Sequence, residues 1–325
     1  MRFSLFFLVV ILISCSKENT SLLEKESVNY TSFAKGKYNS FRFYEGQETY
    51  SLTHNGLRRE YIMYIPSSVE SRTNLPVIFN FHGYSGLANN FFNMTELTDV
   101  ADENGVVLVY PQGSPLNGGP SHWNAAPFNS SSFVNKSNVN DLEFFLYLLD
   151  EVNQNNILDL NRVYAIGYSN GGMFSHFLAC NTENIFAAIG DVAGTMLLDT
   201  YDTCNPSSPL PVLKIHGTSD NVVSYSGYDQ EGFKSVDEVI NFWKENNKSN
   251  NDGVLENLGS TSIYSEFNNT SVNVIFEKYT YKSDENDSEI VHYKMLGGGH
   301  WWDYSIDESL KTSSLLWDFF SRHSR

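Results

Sequence analysis

The chain of 325 residues is acidic and rich in apolar side chains. It carries 38 Asp and Glu against 21 Lys and Arg, which gives a formal net charge of −17, and 41% of its residues are hydrophobic. This composition can fill one large core and excludes a disordered protein. The negative charge argues against a nucleic-acid partner, because phosphate binding depends on clustered Lys and Arg.

The N-terminus predicts export and a lipid anchor. Arg2 precedes an apolar run over residues 3–13, which is too short to span a bilayer as a helix. The run ends in Leu-Ile-Ser-Cys and resembles a bacterial lipobox, which implies that residues 1–14 are a signal peptide and that Cys15 carries the lipid. We expect a protein attached to a bacterial membrane by this anchor alone, either periplasmic or at the cell surface. An ordinary signal peptide with an incidental cysteine is the alternative.

The remaining chain divides into a tether and one domain. Residues 15–46 are polar and rich in Ser, Asn, Lys and Glu, which predicts a lipidated flexible tether. Residues 47–325 contain no internal repeat and form the expected catalytic domain. The histidines show neither an HExxH motif nor a paired Cys/His spacing, so the sequence predicts no metal site.

Strand and helix patterns alternate along this domain. Asn55-Gly56 predicts a hairpin turn between strands at 49–54 and 57–65. Short apolar runs predict buried parallel strands at 75–81, 106–110, 162–167, 185–192 and 211–216. Helical patterns cover residues 95–104, 170–180, 233–243 and 309–322, and a further helix begins at residue 141. Later strands cover residues 272–281 and 290–296. The alternation predicts an α/β fold whose mostly parallel sheet is covered by helices on both faces.

The strongest chemical signal is the sequence GYSNGG at residues 167–172, between a predicted strand and a predicted helix. Small residues around Ser169 permit the tight, strained turn of a nucleophile elbow. Such a turn raises the serine hydroxyl above the sheet and directs a helix N-terminus at the developing oxyanion. A glycine-rich loop in a noncatalytic α/β protein is the alternative.

A serine nucleophile in this arrangement needs an acid and a base in the chain order Ser, Asp, His. His300 follows three glycines after the last predicted strand, which leaves the backbone free to bring its imidazole over Ser169. Asp220 follows the strand at 211–216, at the sheet edge where catalytic groups collect. Asp191, after the preceding strand, is the rival orienting acid.

The oxyanion hole requires two backbone N–H donors. Asn170, which follows the nucleophile, is the first candidate. Tyr84, in the HGYSG loop after the strand at 75–81, is the second, with Gly83 and Ser85 as open alternatives. We expect His82 to order this loop rather than to transfer a proton.

Several widely spaced motifs occur in a fixed order: HGYSG, YPQG, SHWN, ND, GYSNGGM, DVAGT, HGTSD and GGGHWW. Together they resemble the secreted esterase family that includes polyhydroxybutyrate depolymerases and feruloyl and acetylxylan esterases. The resemblance covers about residues 49–320 and implies an α/β-hydrolase fold, no cofactor, and cleavage of carboxylic esters outside the cytoplasm. The family's nucleophile, acid and base match Ser169, Asp220 and His300. Relatives often have Thr-Trp-Pro after the histidine, whereas this chain has Trp-Trp-Asp.

The resemblance favours feruloyl or acetyl esters on plant or algal polysaccharide as substrates. Trp123, Trp301 and Trp302 are the candidate stacking residues for an aryl or sugar group, with simple packing as the alternative for each. Three other functions stay open: hydrolysis of polyhydroxybutyrate or its oligomers, peptide hydrolysis by the same triad, and noncatalytic glycan binding by a lipoprotein.

Cys180 and Cys204 are the remaining cysteines after Cys15. Because the expected compartment is oxidising, we predict a disulfide between the helix after Ser169 and the loop before the Asp220 strand. Two separate buried thiols are the alternative.

Overall fold

The computed structural model describes residues 46–115, 119–127, 137–154, 157–249, 252–265, 270–305 and 310–325. The expected signal peptide, Cys15 and all but the last residue of the expected tether lie outside these ranges. No helix within the ranges combines the length and apolar character needed to cross a bilayer.

The described residues form strands and helices in alternation. The strands are β1 (Gln47–His54), β2 (Leu57–Tyr64), β3 (Leu75–Phe81), β4 (Val107–Pro111), β5 (Ser114–Pro115), β6 (Ser121–His122), β7 (Leu158–Tyr168), β8 (Ala188–Val192), β9 (Val212–Gly217), β10 (Val254–Ser265), β11 (Thr270–Lys282) and β12 (Glu289–Leu296). The helices are α1 (Ala88–Thr95), α2 (Leu97–Asn104), α3 (Asp141–Val152), α4 (Asn170–Asn181), α5 (Leu198–Thr203), α6 (Val236–Asn247) and α7 (Thr312–Phe320).

Ten of these strands form one sheet in the order β1-β2-β4-β3-β7-β8-β9-β12-β11-β10. The six strands from β4 to β12 in this order pair in parallel. The strands at both margins pair antiparallel. The prediction of a mostly parallel sheet is therefore confirmed.

Apolar side chains cover both faces of the sheet, as the buried strands predict. One core packs residues of α3, α4 and α6, such as Phe145, Phe174 and Trp243, against the sheet. The other core packs residues of α1, α2 and α7, such as Phe92 and Leu316, against the opposite face. This layering of helix, sheet and helix is that of an α/β domain with a mostly parallel sheet.

Several local features differ from the predicted elements. The helix expected at 95–104 is divided, because Glu96 has φ 51° and separates α1 from α2. The sequence pattern predicts neither the first seven residues of α1, nor the short strands β5 and β6, nor α5, nor the edge strand β10. The sequence of β10, VLENLGSTSIYS, is rich in Ser, Asn and Gly and gives little strand signal.

The parallel strands deliver the chemical groups to one edge of the sheet. Ser169 directly follows β7. Asp191 is the last residue but one of β8, and Asp220 lies three residues after the end of β9. His82 follows β3, and His300 lies shortly after β12. The carboxyl ends of neighbouring parallel strands form the crevice where ligands bind in open α/β sheets.

Candidate active site

Ser169 occupies a strained turn between β7 and α4. Its backbone has φ 54° and ψ −118°, a conformation that few residues other than glycine adopt. A Cβ at Gly167 would lie 1.9 Å from the carbonyl carbon of Gly171, and a Cβ at Gly171 would lie 2.0 Å from the oxygen of Phe81. The glycines are therefore required sterically, as a nucleophile elbow demands.

The surroundings of Ser169 fix its backbone and leave its side chain only 8% exposed. Its N–H donates to the carbonyl of Val192 at 2.9 Å, which ties the turn to the end of β8. The residue caps the start of α4, so the first backbone N–H groups of that helix face the same region.

His300 and Asp220 form a short hydrogen bond at this edge of the sheet. The distance from His300 Nδ1 to Asp220 Oδ2 is 2.7 Å. Because a carboxylate only accepts, Nδ1 carries the proton, and Nε2 of the neutral ring is then free to act as a base. The other oxygen of Asp220, Oδ1, accepts the N–H groups of Val222 and Val223, each at 2.8 Å.

Contacts with the elbow fix the loop that carries His300. The hydroxyl of Tyr168, the residue before Ser169, donates to the carbonyl of His300 at 2.9 Å. The two rings lie 5.1 Å apart. Tyr304 donates from its hydroxyl to the carbonyl of Gly299. These bonds hold the imidazole beside the turn that presents Ser169.

Asp220 is ionised in this environment. Burial alone would raise the pKa of its carboxyl, but the contacts with His216 and His300 outweigh burial and hold that pKa well below its ordinary value. A permanently negative carboxylate is what stabilises an imidazolium that forms on the adjacent ring.

Asp191, the rival acid, bonds to a different histidine. Its Oδ2 lies 3.0 Å from His176 Nε2 and 3.1 Å from Lys214 Nζ, and its Oδ1 accepts the N–H of Gly194 at 2.8 Å. Burial raises the pKa of Asp191, but the charge of Lys214 and the bond from His176 bring it well below its ordinary value. The side chains of Asp191, His176 and Lys214 are fully buried, and the structure does not bring Asp191 to His300.

Among the oxyanion candidates, the structure removes Ser85. Its N–H donates to the carbonyl of Ser121 at 2.7 Å, so this donor is occupied. Tyr84 lies in the same loop with 46% of its surface exposed. The backbone N–H of Asn170 lies at the start of α4, and its side-chain amide bonds to both the N–H and the carbonyl of Trp123, at 2.7 and 2.9 Å.

His82 orders the loop that carries Tyr84, as its position suggests. Its Nδ1 lies 2.8 Å from the carbonyl of Gly83, and its Nε2 accepts the N–H of Gly113 at 2.9 Å. These partners define a neutral ring with the proton on Nδ1. Burial lowers the pKa of His82 to about 4, which keeps the ring neutral.

Two of the three tryptophans expected to contact substrate are core residues. Trp123 is fully buried, stacks on Phe174 with ring centroids 5.0 Å apart, and donates from Nε1 to the carbonyl of His82 at 3.0 Å. Trp302 is 4% exposed and packs against Phe91. The expectation of substrate stacking is wrong for both, because neither presents a ring face to solvent. Trp301 is partly exposed.

Cys180 and Cys204 are joined in a disulfide, with their Cα atoms 4.8 Å apart. The bond links the end of α4 to the residue that follows α5. In the parts of the chain that the structure describes, no group of three or more His, Cys, Asp or Glu side chains is arranged to hold a metal ion.

Sequence reasoning missed the buried polar groups Lys214, His216 and His176. The sequence pattern places Lys214 and His216 in a buried strand and His176 in a helix, and it assigns no role to any of the three. A lysine inside such a strand is itself a signal, because lysine is almost never fully buried unless it is paired.

A family model described as esterase PHB depolymerase matches residues 59–229. The chain belongs to this family. The match includes Ser169 and Asp220, and His300 lies beyond its end.

Two similar proteins are named as esterases. Feruloyl esterase B of Piromyces equi is 27% identical over 171 residues, which are 52% of this chain and 30% of that protein. The bifunctional acetylxylan esterase/xylanase XynS20E of Neocallimastix patriciarum is 25% identical over 268 residues, which are 82% of this chain and 34% of that protein. The chain thus matches about a third of the length of these relatives.

A solved structure supports the fold. The acetyl xylan esterase from Aspergillus awamori superposes with a TM-score of 0.54 at 12% identity, covering 84% of this chain and 99% of that chain. At this identity the likeness concerns the α/β-hydrolase fold alone.

Proposed function

We propose that the protein is a serine carboxylic-ester hydrolase with Ser169 as nucleophile, His300 as base and Asp220 as orienting acid. The observation that carries the proposal is the 2.7 Å bond between Asp220 and His300, held beside the strained turn of Ser169. Membership of an esterase family supports the same chemistry.

In the proposed reaction, Ser169 Oγ attacks the ester carbonyl while His300 Nε2 takes its proton. The negative charge on the tetrahedral oxygen is stabilised by the backbone N–H of Asn170 and, from the HGYSG loop, that of Tyr84. His300 then gives the proton to the departing alcohol, which leaves an acyl group on Ser169. A water molecule, deprotonated by His300, attacks this acyl group. The bond between the acyl carbon and Ser169 Oγ then breaks, His300 returns the proton to Oγ, and the acid is released.

For the substrate, we propose feruloyl or acetyl groups esterified to plant or algal polysaccharide. The names of the matched relatives support this choice. Trp123 and Trp302 are buried, so we assign the contact with the aryl or sugar group to Trp301, which is partly exposed and follows His300 in the chain. Esters of hydroxybutyrate are the second candidate, favoured by the family description.

A substrate panel tests the choice. We would compare kcat/KM for methyl ferulate, an acetylated xylo-oligomer and a hydroxybutyrate dimer in one preparation of residues 47–325. We expect a clear preference for the ferulate or the acetyl ester. A preference for the hydroxybutyrate dimer would contradict the proposed substrate and favour hydroxybutyrate esters, but it would leave the proposed triad unchanged.

We further propose that the protein is exported and lipid-anchored through Cys15. The lipobox-like sequence before Cys15 supports this proposal. Metabolic labelling with a radioactive fatty acid should mark the full chain, and the Cys15→Ser variant should remain unlabelled. A labelled Cys15→Ser protein would contradict the anchor site.

A further inference from the structure

A chain of buried polar side chains leads from the interior of the protein to the proposed acid. Lys214 of β9 lies between Asp191 of β8 and His292 of β12 in the sheet register. His216, two residues further along β9, lies on the same face of the sheet as Lys214. The side chains of Lys214, His216 and Asp191 are all fully buried.

The three protons of the Lys214 ammonium each have an acceptor. Nζ lies 3.0 Å from the carbonyl of Gly194, 3.1 Å from Asp191 Oδ2 and 2.7 Å from His216 Nδ1. An ammonium offers three donors and no acceptor, so His216 Nδ1 must be the unprotonated nitrogen. Lys214 therefore determines which nitrogen of His216 carries the proton.

The protonated nitrogen of His216 faces the proposed acid. Its Nε2 donates to the carbonyl of Val223 at 2.8 Å and lies 3.3 Å from Asp220 Oδ2. Val223 in turn donates its N–H to Asp220 Oδ1 at 2.8 Å. His216 thus lies next to one oxygen of Asp220 and bonds to the same residue, Val223, whose N–H binds the other oxygen.

We propose that Lys214 and His216 are positioning residues for Asp220: Lys214 holds His216 in the Nε2–H tautomer, and His216 fixes the carboxylate that orients His300. Asp191 then has an indirect part: burial lowers the pKa of Lys214, and the charge and hydrogen bond of Asp191 oppose that shift. This inference rests on the proposed function of Asp220 and His300.

Burial supports the neutral form of His216. It lowers the pKa of His216, and the adjacent charge of Lys214 lowers that pKa further. A lowered pKa favours the neutral ring, and the bonds to Lys214 and Val223 then set its tautomer. Asp220 and Asp191 raise the pKa of His216, but burial and Lys214 outweigh them. The other titratable groups next to His216 are His292, Tyr225 and Lys294, the register partner of His216.

The test compares His216→Leu with His216→Gln. Leucine removes the donor, whereas glutamine has an amide N–H for Asp220 and Val223 and an amide oxygen for Lys214. For His216→Leu we expect kcat to fall by about tenfold to a hundredfold, because the variant loses both the bond to Val223 and the 3.3 Å contact with the charged Asp220. KM should stay nearly constant.

The pH profile separates positioning from a general structural defect. Without the His216 donor, more of the negative charge of Asp220 acts on His300, which stabilises the imidazolium. The acid limb of kcat/KM should therefore move to higher pH in His216→Leu, by about one pH unit, and return towards wild type in His216→Gln. Wild-type kcat and acid limb in both variants would overturn the proposal. Equal losses in both with an unmoved acid limb would also overturn it.

A measurement on the wild-type protein tests the tautomer without a cavity variant. Nitrogen-15 spectra of labelled histidines, with the His216 signals assigned by their absence from His216→Gln, should show Nε2–H and unprotonated Nδ1 throughout pH 5–8. A protonated Nδ1 in this range would contradict the role of Lys214. Assaying Asp220→Asn and Ser169→Ala in parallel distinguishes a failure of the proposed function from a failure of this inference. If both retain activity, the proposed function fails, and if both are inactive while the His216 variants match wild type, this inference alone fails.

Discussion

Asp191 and Asp220 lie at the ends of adjacent parallel strands, and each combines backbone N–H donors with a histidine. Their histidines differ. His176, the partner of Asp191, is fully buried, and its Nδ1 accepts the indole N–H of Trp243 at 3.2 Å. His300, the partner of Asp220, has a partly exposed side chain. An imidazole can serve as a base only where its second nitrogen is available, so the histidine decides which carboxylate can take part in catalysis.

The two carboxylates also differ in how their charge is balanced. Asp191 has the buried cation of Lys214 at 3.1 Å, whereas Asp220 is bonded by neutral donors. A buried pair of this kind stabilises the fold only while both partners are present. Asp220, without a bonded cation, keeps its charge to stabilise an imidazolium at His300. In the proposed mechanism, Asp220 therefore acts directly on His300, whereas Asp191 stabilises the fold and acts on the site only through Lys214.

Replacing the proposed nucleophile should have the largest effect on activity. Ser169→Ala should lower kcat by about 10⁶-fold, the loss seen when a triad serine is removed elsewhere. Ser175→Ala is the matched control, since Ser175 lies buried in α4 and bonds only within that helix. Steady-state kinetics on p-nitrophenyl acetate checks both. Near-normal turnover in a folded Ser169→Ala protein would contradict Ser169 as the nucleophile.

Replacing the acid should have the next largest effect. Asp220→Asn should lower kcat by about 10⁴-fold, because an amide no longer enforces the tautomer of His300 or stabilises its imidazolium. The fold should survive, since an amide oxygen can still accept from Val222 and Val223. Steady-state kinetics measures the loss of kcat, and thermal unfolding shows whether the fold is kept. A variant within tenfold of wild type would exclude Asp220 as the acid.

Asp191→Asn should lower the stability of the fold more than its activity, the reverse of what we expect for Asp220→Asn. It leaves Lys214 buried without its carboxylate, so the free energy of unfolding should fall by about 3–5 kcal/mol. Activity per folded molecule should fall far less than in Asp220→Asn. Replacing both partners, as Asp191→Asn with Lys214→Met, should regain part of the stability, and a further loss would contradict the pairing.

The same variant should change the acid dependence of stability. Because the pKa of Asp191 is lowered in the folded state, its contribution is present above the unfolded value of about 3.9 and is lost as pH falls below it. Urea unfolding between neutral pH and pH 3 should therefore show a flatter profile for Asp191→Asn than for wild type. An unchanged slope would contradict the ionised, paired state of Asp191.

Reduction of the disulfide should have the smallest effect on catalysis. Opening the bond between Cys180 and Cys204, separated by 24 residues, should lower the free energy of unfolding by about 3 kcal/mol and leave activity in the folded protein intact. The double variant Cys180→Ser with Cys204→Ser should be equally destabilised and insensitive to reductant. A wild-type protein equally stable in both redox states would contradict a structural role.

The sequence predicts elements whose signals are local. Asn55-Gly56 forms the expected turn, with φ 49° and 76°, and the glycines around Ser169 mark the elbow because sterics there tolerate nothing larger. The side chain of a loop tryptophan carries no such signal, because its burial depends on tertiary partners. Phe174, which stacks on Trp123, is 51 residues away in the chain, and periodicity cannot register such a contact.

Covalent trapping tests the central account most directly. Diethyl p-nitrophenyl phosphate would be reacted with wild type, Asp220→Asn and Asp191→Asn, with release of p-nitrophenol giving the rate and peptide mass mapping giving the site. We predict one adduct, on Ser169, formed about 10⁴-fold more slowly in Asp220→Asn and much less affected in Asp191→Asn. An adduct on another residue, or a slower reaction in Asp191→Asn than in Asp220→Asn, would contradict the account.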